Sequence, residues 1–271
     1  LGAISLRRLL LSDPVEKMSN IMEDHVISVS TQTDQEEVAQ LFQKYDFTSI
    51  PVVDSEGRLV GIITVDDIVD ILQQEATEDI EKMAAITPTD KPYMKTGVLE
   101  TWKKRIPWLL ILMISATFTG RIISHYEAAL ASYVVLTAFI PMLMDTGGNA
   151  GSQASVSIIR GLSLNEIDYS DTLKILLKEL LVGILIGATL AVANFVKLLV
   201  IDRVTVTIAA VVCLTLIVTV VFAKLVGCSL PVLAKRLGFD PAVMASPFIS
   251  TIVDSLSLLI YFRFASLFLG L

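Results

Sequence analysis

The chain has 271 residues, 54% of them hydrophobic, and a mean hydropathy of +0.69, which is too apolar for an ordinary soluble domain. The formal net charge is −7, unevenly spread: residues 1–100 carry 8 Lys and Arg against 19 Asp and Glu, and residues 101–271 carry 13 against 9. An acidic soluble part ahead of a mildly basic membrane part excludes nucleic acid as a partner, since phosphate binding needs clustered Lys and Arg, and it fits cations.

Residues 1–10 and 60–69 share a pattern of apolar strand, hydroxyl residue and helix, at a spacing of 59. The repeat predicts two copies of one module, the first present only as a tail over residues 1–21. In the second copy, residues 26–29 read as a short strand. Thr33-Asp34-Gln35-Glu36 reads as a capping box, with the Thr33 hydroxyl on the third helical N–H and Glu36 reaching back to the cap. The helix runs to about Tyr45, with Val38, Leu41 and Phe42 on one face. Residues 50–53 form a second strand, Asp54-Ser55-Glu56-Gly57 a turn, and residues 59–64 a third strand. Thr64-Val65-Asp66-Asp67 opens another helix. This order, with SIPVVDSEGRLVGIITVDDIV, resembles a cystathionine-β-synthase (CBS) domain over residues 22–72. Such domains work in pairs, which the tail fits. In many of their families the pair binds an adenine nucleotide, and Thr64 and Asp67 lie where ribose or phosphate is contacted. The plain alternative is that both simply cap a helix.

From Asp66 the acids become dense: Asp66, Asp67, Asp70, Glu75, Glu78, Asp79 and Glu81. Glu75, Glu78 and Asp79 fall on one face of a continuing helix, where like charges repel by a few tenths of a kcal/mol per pair and a divalent cation would relieve them. Residues 66–100 are therefore expected to be an acidic connecting helix and a linker, broken at Thr87-Pro88-Thr89-Asp90-Lys91-Pro92. Lys103-Lys104-Arg105, followed by Pro107-Trp108, marks a membrane edge on the cytoplasmic side.

Spans of about 20 apolar residues are predicted at 106–124, 128–159, 180–200, 204–223 and 243–271. Five spans with the basic cluster inside put the C-terminus outside. Cys213 and Cys228 lack metal-ligand spacing and read as packing residues. Asp254 lies about 12 residues, or roughly 18 Å, beyond the predicted start of the fifth span. An aspartate there costs about 2.5–3.5 kcal/mol on insertion scales, so it is expected to face a bundle interior or a water pathway. Ser250, Thr251 and Ser257 join it in a polar stripe. In the second span, Asp145, Asn149, Ser152 and Gln153 share a face, and Gly147, Gly148 and Gly151 permit close backbone approach.

At MDTGGNAGSQAS and DPAVMASPFISTIVDSLSLLIYF the chain resembles the MgtE family of magnesium channels and transporters. The resemblance implies a homodimer in the cell membrane, with a pore lined by the second and fifth spans of both subunits, and a further N-terminal helical domain. Carried over by position, Asp254 is the pore carboxylate for a hydrated Mg²⁺, and Asp240 a ligand at the inner mouth. Glu75, Glu78 and Asp79 match the plug helix. Asp34, Glu36, Asp46, Asp67 and Asp70 match acidic positions that bind regulatory Mg²⁺. Gly148, Asn149, Ser152 and Ser250 fall along the pore, with Ser152 where some members have Asn. The expected fold class is multi-domain: an α/β CBS module, then an all-α transmembrane bundle of five helices over residues 101–271, homodimeric. A coupled H⁺ or Na⁺ antiporter and a carrier of other divalent cations such as Co²⁺ are the rival readings. No HExxH or GxSxG supports an enzyme, and His25 and His125 lie apart.

Overall fold

In the computed structural model, residues 2–89 and 91–270 are described, with backbone alone for Ala129, Tyr169 and Ser246. Leu1, in the predicted tail, Asp90, in the linker, and Leu271, at the end of the fifth span, lie outside the described residues. The chain forms two compact units, Leu1–Ala76 and Thr77–Leu271.

The first unit begins with an antiparallel bridge between Ala3 and Glu23 that encloses two short helices, α1 (Leu6–Leu11) and α2 (Met18–Ile21). There follow β1 (Val29–Ser30), α3 (Gln35–Tyr45), β2 (Ser49–Val53) and β3 (Leu59–Thr64), and helix α4 opens at once over Val65–Met83. The sheet order is β1-β2-β3, with β1 parallel to β2 and β2 antiparallel to β3. A parallel pair needs a crossover, and α3 supplies it. The β2–β3 turn is closed by Asp54, whose carboxylate accepts from the Glu56 and Arg58 amides at 2.9 Å. Those bonds and the Arg58 side chain hold its carboxyl below the usual carboxylate range. Gly57 sits at φ +75°, where a side chain would be strained. Val29, Val38, Ala39, Phe42, Ile50 and Ile68 make the core.

Two local expectations are corrected. The first strand begins only at Val29. The helix cap is Asp34, not Thr33: the Thr33 hydroxyl is taken by the Ser30 amide at 3.0 Å, closing the turn after β1, and Asp34 accepts from the Glu36 amide at 2.9 Å.

The second unit holds α5 (Val98–His125), α6 (Glu127–Ser132), α7 (Ile140–Ser163), α8 (Thr172–Val200), α9 (Val206–Arg236) and α10 (Ser246–Leu269). Four stretches of the described residues are long and apolar enough to cross a membrane: Val98–His125, Thr172–Val200, Val206–Arg236 and Pro241–Leu269. The predicted span 128–159 is not one helix. It divides into α6, a 3₁₀ stretch at Val134–Phe139, and α7. Pro141 falls in the first turn of α7, where its missing N–H leaves no bond unmade. The first apolar helix starts at Val98 rather than 106, so Lys103, Lys104, Arg105 and Pro107 lie within it.

Helix α9 is packed on three sides, by α7, α8 and α10, and α5 lies against α10. Glycine permits the closeness. A Cβ on Gly151 would meet Ile249 Cγ2 at 2.8 Å and the Ala223 carbonyl at 3.0 Å, and one on Gly227 would overlap the Gly151 carbonyl. Backbone therefore touches backbone where α7 crosses α9. The α8–α9 contact encloses an ion pair: Lys224 Nζ lies 3.5 Å from Glu179 Oε2, with side chains 6% and 12% exposed. That oxygen has no hydrogen-bond partner among the described residues. Both cysteines are buried, as packing residues should be. Tyr261 donates from the core to the Leu136 carbonyl at 3.0 Å, tying α10 to the 3₁₀ stretch.

Gly227→Ala should cost about 1–3 kcal/mol through overpacking. A lowered melting midpoint by size-exclusion chromatography would register it. Gly120→Ala, whose Cβ meets nothing within 4 Å, is the control and should leave the midpoint in place.

Candidate functional site

Helix α10 is preceded by a 3₁₀ turn at Pro241–Met244, and Pro247 stands in its first turn. Asp254 comes eight residues after Ser246, about 12 Å along the axis, nearer the helix start than the sequence implied because the turn consumes the first residues. It is half-buried, and the charge of Asp145 on α7 acts on it. Asp145 was legible as part of the polar face of α7, yet nothing in the sequence set it against Asp254. The stripe beside Asp254 is only partly available to a ligand. Thr251 donates to the Pro247 carbonyl at 3.0 Å and Ser257 to Val253 at 2.6 Å, so both hydroxyls turn back on their own helix. The Ser250 hydroxyl makes no hydrogen bond among the described residues and packs on Gly148, where a Cβ would come within 3.1 Å of its Oγ.

Helix α7 is two-sided. Gly147, Gly148, Ala150, Gly151, Ala154 and Ser155 are buried, whereas Asp145, Asn149 and Gln153, one turn apart, are exposed and Ser152 is half-exposed. Of the predicted pore residues, Gly148 and Ser250 meet, and Asn149 lies on the open edge. Ser155 donates to the Met244 carbonyl at 3.2 Å and so fixes α7 to the turn before α10.

That turn also positions Asp240. Its carboxylate caps the turn by accepting from the Ala242 amide at 2.8 Å and receives the Lys82 ammonium at 2.5 Å. Lys82 pairs at the same time with Glu78, one turn back on α4. Met83 beside it packs against Ile159, Ala242 and Ala245, and Ser163 of α7 donates to Asp79 at 3.4 Å. Partial burial pulls the Lys82 pKa down, but its bonds to Asp240 and Glu78 outweigh burial and hold it above the usual lysine value. It is thus an ammonium across the physiological range, and its pairing fades only where pH rises through that raised value. A fixed cation already lies between one carboxylate of the predicted plug helix and the predicted mouth ligand. The sequence set Lys82 only in a run of charges; its position i+4 from Glu78 was the available signal.

The remaining acids belong to the first unit. Glu75 accepts from Gln35 Nε2 at 2.6 Å. Asp34 caps α3, Glu36 accepts from Gln40 at 3.3 Å, and Asp46 ends α3 in a left-handed conformation at φ 53°. Asp67 accepts from the Thr64 hydroxyl at 3.0 Å, the helix-capping arrangement, and Asp70 is exposed. Asp67 also lines a hollow of about 450 Å³ with Ser30, Thr31, Thr33, Gln35 and Ile71. Among the described residues, no three of His, Cys, Asp and Glu converge as a ready-made metal site. Every candidate donor is an oxygen, the set that suits a hard cation such as Mg²⁺.

Residues 18–74 match the CBS domain, and residues 140–264 match the family described as MgtE, divalent cation transporter. A CBS domain joined to a divalent cation transporter domain, with several long apolar helices, defines a multi-pass membrane protein. In both parts the chain is similar to the MgtE family. It is 43% identical over 268 residues to the magnesium transporter MgtE of Thermus thermophilus and 39% identical over 272 residues to that of Bacillus subtilis. Each match takes in 99% of this chain and 59% of the relative, so the chain spans about three fifths of the relatives' length. A crystal structure of the cytosolic domain of the Mg²⁺ channel MgtE in complex with ATP matches 26% of this chain and 28% of its own, at 57% identity and a TM-score of 0.26.

Proposed function

We propose that the chain carries Mg²⁺ across the cell membrane through a pore formed by two copies, and that Mg²⁺ inside the cell closes it. The observation that carries this reading is the half-buried Asp254 on α10, under the charge of Asp145 and beside the open polar edge of α7. Polar side chains at bilayer depth face protein or water, not hydrocarbon. A second copy related by a twofold axis covers that edge and brings two Asp254 carboxylates together. Two negative charges neutralise one divalent ion that keeps its waters, as Mg²⁺ prefers. Ser250 and Asn149 accept hydrogen bonds from those waters, and Gly148 leaves them room. On this reading α7 is the second of five spans, the CBS domain lies in the cytoplasm and the C-terminus outside. The relatives' names support transport of magnesium rather than enzyme chemistry.

For closure, Mg²⁺ bridges Glu75, Glu78 and Asp79 of α4 to Asp240 and the CBS acids Asp34, Glu36, Asp46, Asp67 and Asp70. When Mg²⁺ is scarce these carboxylates repel and the pore opens, a two-state element biased by local charge. Lys82 competes with Mg²⁺ for Glu78 and Asp240, since both of its partners are proposed ligands. An adenine nucleotide fits the hollow beside Asp67, with that carboxylate toward ribose hydroxyls.

Three measurements on the full-length protein in proteoliposomes test the scheme. Asp254→Ala should abolish Mg²⁺ uptake while the protein elutes unchanged in gel filtration; near-normal flux would refute the pore. Glu75→Ala, Glu78→Ala and Asp79→Ala together should leave the pore open at high internal Mg²⁺, and normal shut-off in that variant removes the gate. Lys82→Met should lower the internal Mg²⁺ that half-closes the pore several-fold, because two carboxylates lose their tethered competitor. A rise in that concentration would make Lys82 a latch instead.

A further inference from the structure

The start of α5 lies outside the proposed Mg²⁺ ligands and pore residues. Two hollows open there side by side, of about 270 Å³ and about 500 Å³, and share Tyr93, Thr96, Thr101 and Arg105. The smaller adds Lys91, Lys104 and Glu81, so three cations face one carboxylate. The larger adds Met94, Trp102, Ile106 and Leu109. Most of the polar groups are already engaged. Lys91 is paired with Glu100 at 2.9 Å, Lys104 donates to the Pro88 carbonyl at 2.9 Å, and Glu81 accepts from the Thr89 amide at 2.8 Å. Arg105 lines both hollows and has no ion pair or hydrogen bond among the described residues. Its five donors are unspent on a surface with a cationic surplus.

Along α5, Leu109 stands one turn beyond Arg105 and on the same face. Trp102 and Leu109 are more than half exposed, and Met94 is 90% exposed. A free guanidinium therefore adjoins an open apolar floor on a helix long and apolar enough to cross a membrane. A soluble anion would satisfy the first feature and leave the second bare; a hydrocarbon chain alone would do the reverse. An anionic phospholipid meets both, and a zwitterionic one brings no net charge to match the surplus.

We propose that these hollows bind one anionic phospholipid, with its phosphate on Arg105 and an acyl chain over Ile106 and Leu109. The site rests on the reading that α5 lies in a bilayer, but not on the path of Mg²⁺. The planar guanidinium offers the phosphate two parallel hydrogen bonds. Trp102 holds the interfacial depth at which a headgroup lies.

The test uses the full-length protein in nanodiscs, in a background where Trp102 is the one tryptophan. Brominated phosphatidylglycerol and brominated phosphatidylcholine are compared as quenchers of its fluorescence. The expected preference for phosphatidylglycerol is on the order of fivefold, the worth of one surface cation. Arg105→Gln should abolish it, while Lys103→Gln, outside both hollows, should keep it. Equal quenching by the two lipids, or a preference that survives Arg105→Gln, overturns the proposal. So does quenching by neither lipid, the result if a second copy covers this face. Relief of quenching by added inorganic phosphate would assign the site to a soluble anion and overturn it as well. Mg²⁺ flux through the same samples is a separate readout, so failure of the lipid site and failure of the transport reading are told apart.

Discussion

Backbone contact between α7 and α9 is what the helical unit depends on. At Gly151 and Gly227 no side chain stands between the two helices, and at Gly147 and Gly148 the same economy admits Thr219, Val253 and Ser250. Close approach of this kind multiplies dispersion contacts where burial of apolar surface gives little drive, because lipid is as apolar as the partner helix. It also orients α7. With its small residues turned inward against α9 and α10, the polar residues at one-turn spacing are forced to the opposite edge. The exposed Asp145, Asn149 and Gln153 are thus a consequence of where the glycines lie.

Electrostatics organises the other end. The acids of α4 are many, yet the structure brings the terminal turn of that helix to Asp240 through a lysine. A single ammonium answers two carboxylates that would otherwise repel. One fixed charge cannot balance the whole acidic stripe, so the arrangement retains negative charge while holding a defined geometry. A mobile divalent ion is chemically suited to such a surplus.

Much of the fold could be read from residue patterns, because period and punctuation are local. The alternation and turn residues of 49–64 specified the hairpin, and the apolar runs specified three long helices to within a turn or so at several ends. What failed was local competition or long-range pairing. Thr33 lost the cap because its hydroxyl had a nearer amide in Ser30. The long apolar stretch at 128–159 broke because Pro141 is best placed where a helix starts, not within it. The candidate site was legible in its parts, since Asp254 and Asn149 are conspicuous polar residues in apolar surroundings. The charge of Asp145 acting on Asp254, and the pairing of Lys82 with Asp240, join positions more than 100 residues apart and have no one-dimensional signature. The pair Lys224–Glu179 was hidden for a simpler reason. Apolar windows were closed at residues 180 and 223, one residue short of each charge, whereas the helices continue through both.

That pair bears on how the helices enter a bilayer. Alone in hydrocarbon, α9 would have to carry a bare ammonium, at about 2.5–3.5 kcal/mol on insertion scales. Helix α8 is made first, holds the compensating carboxylate, and is joined to α9 through residues 201–205. Each helix is costly as a solitary passenger and much less so when the opposite charge travels with it. Paired as a hairpin, the two helices match these charges against each other rather than against lipid.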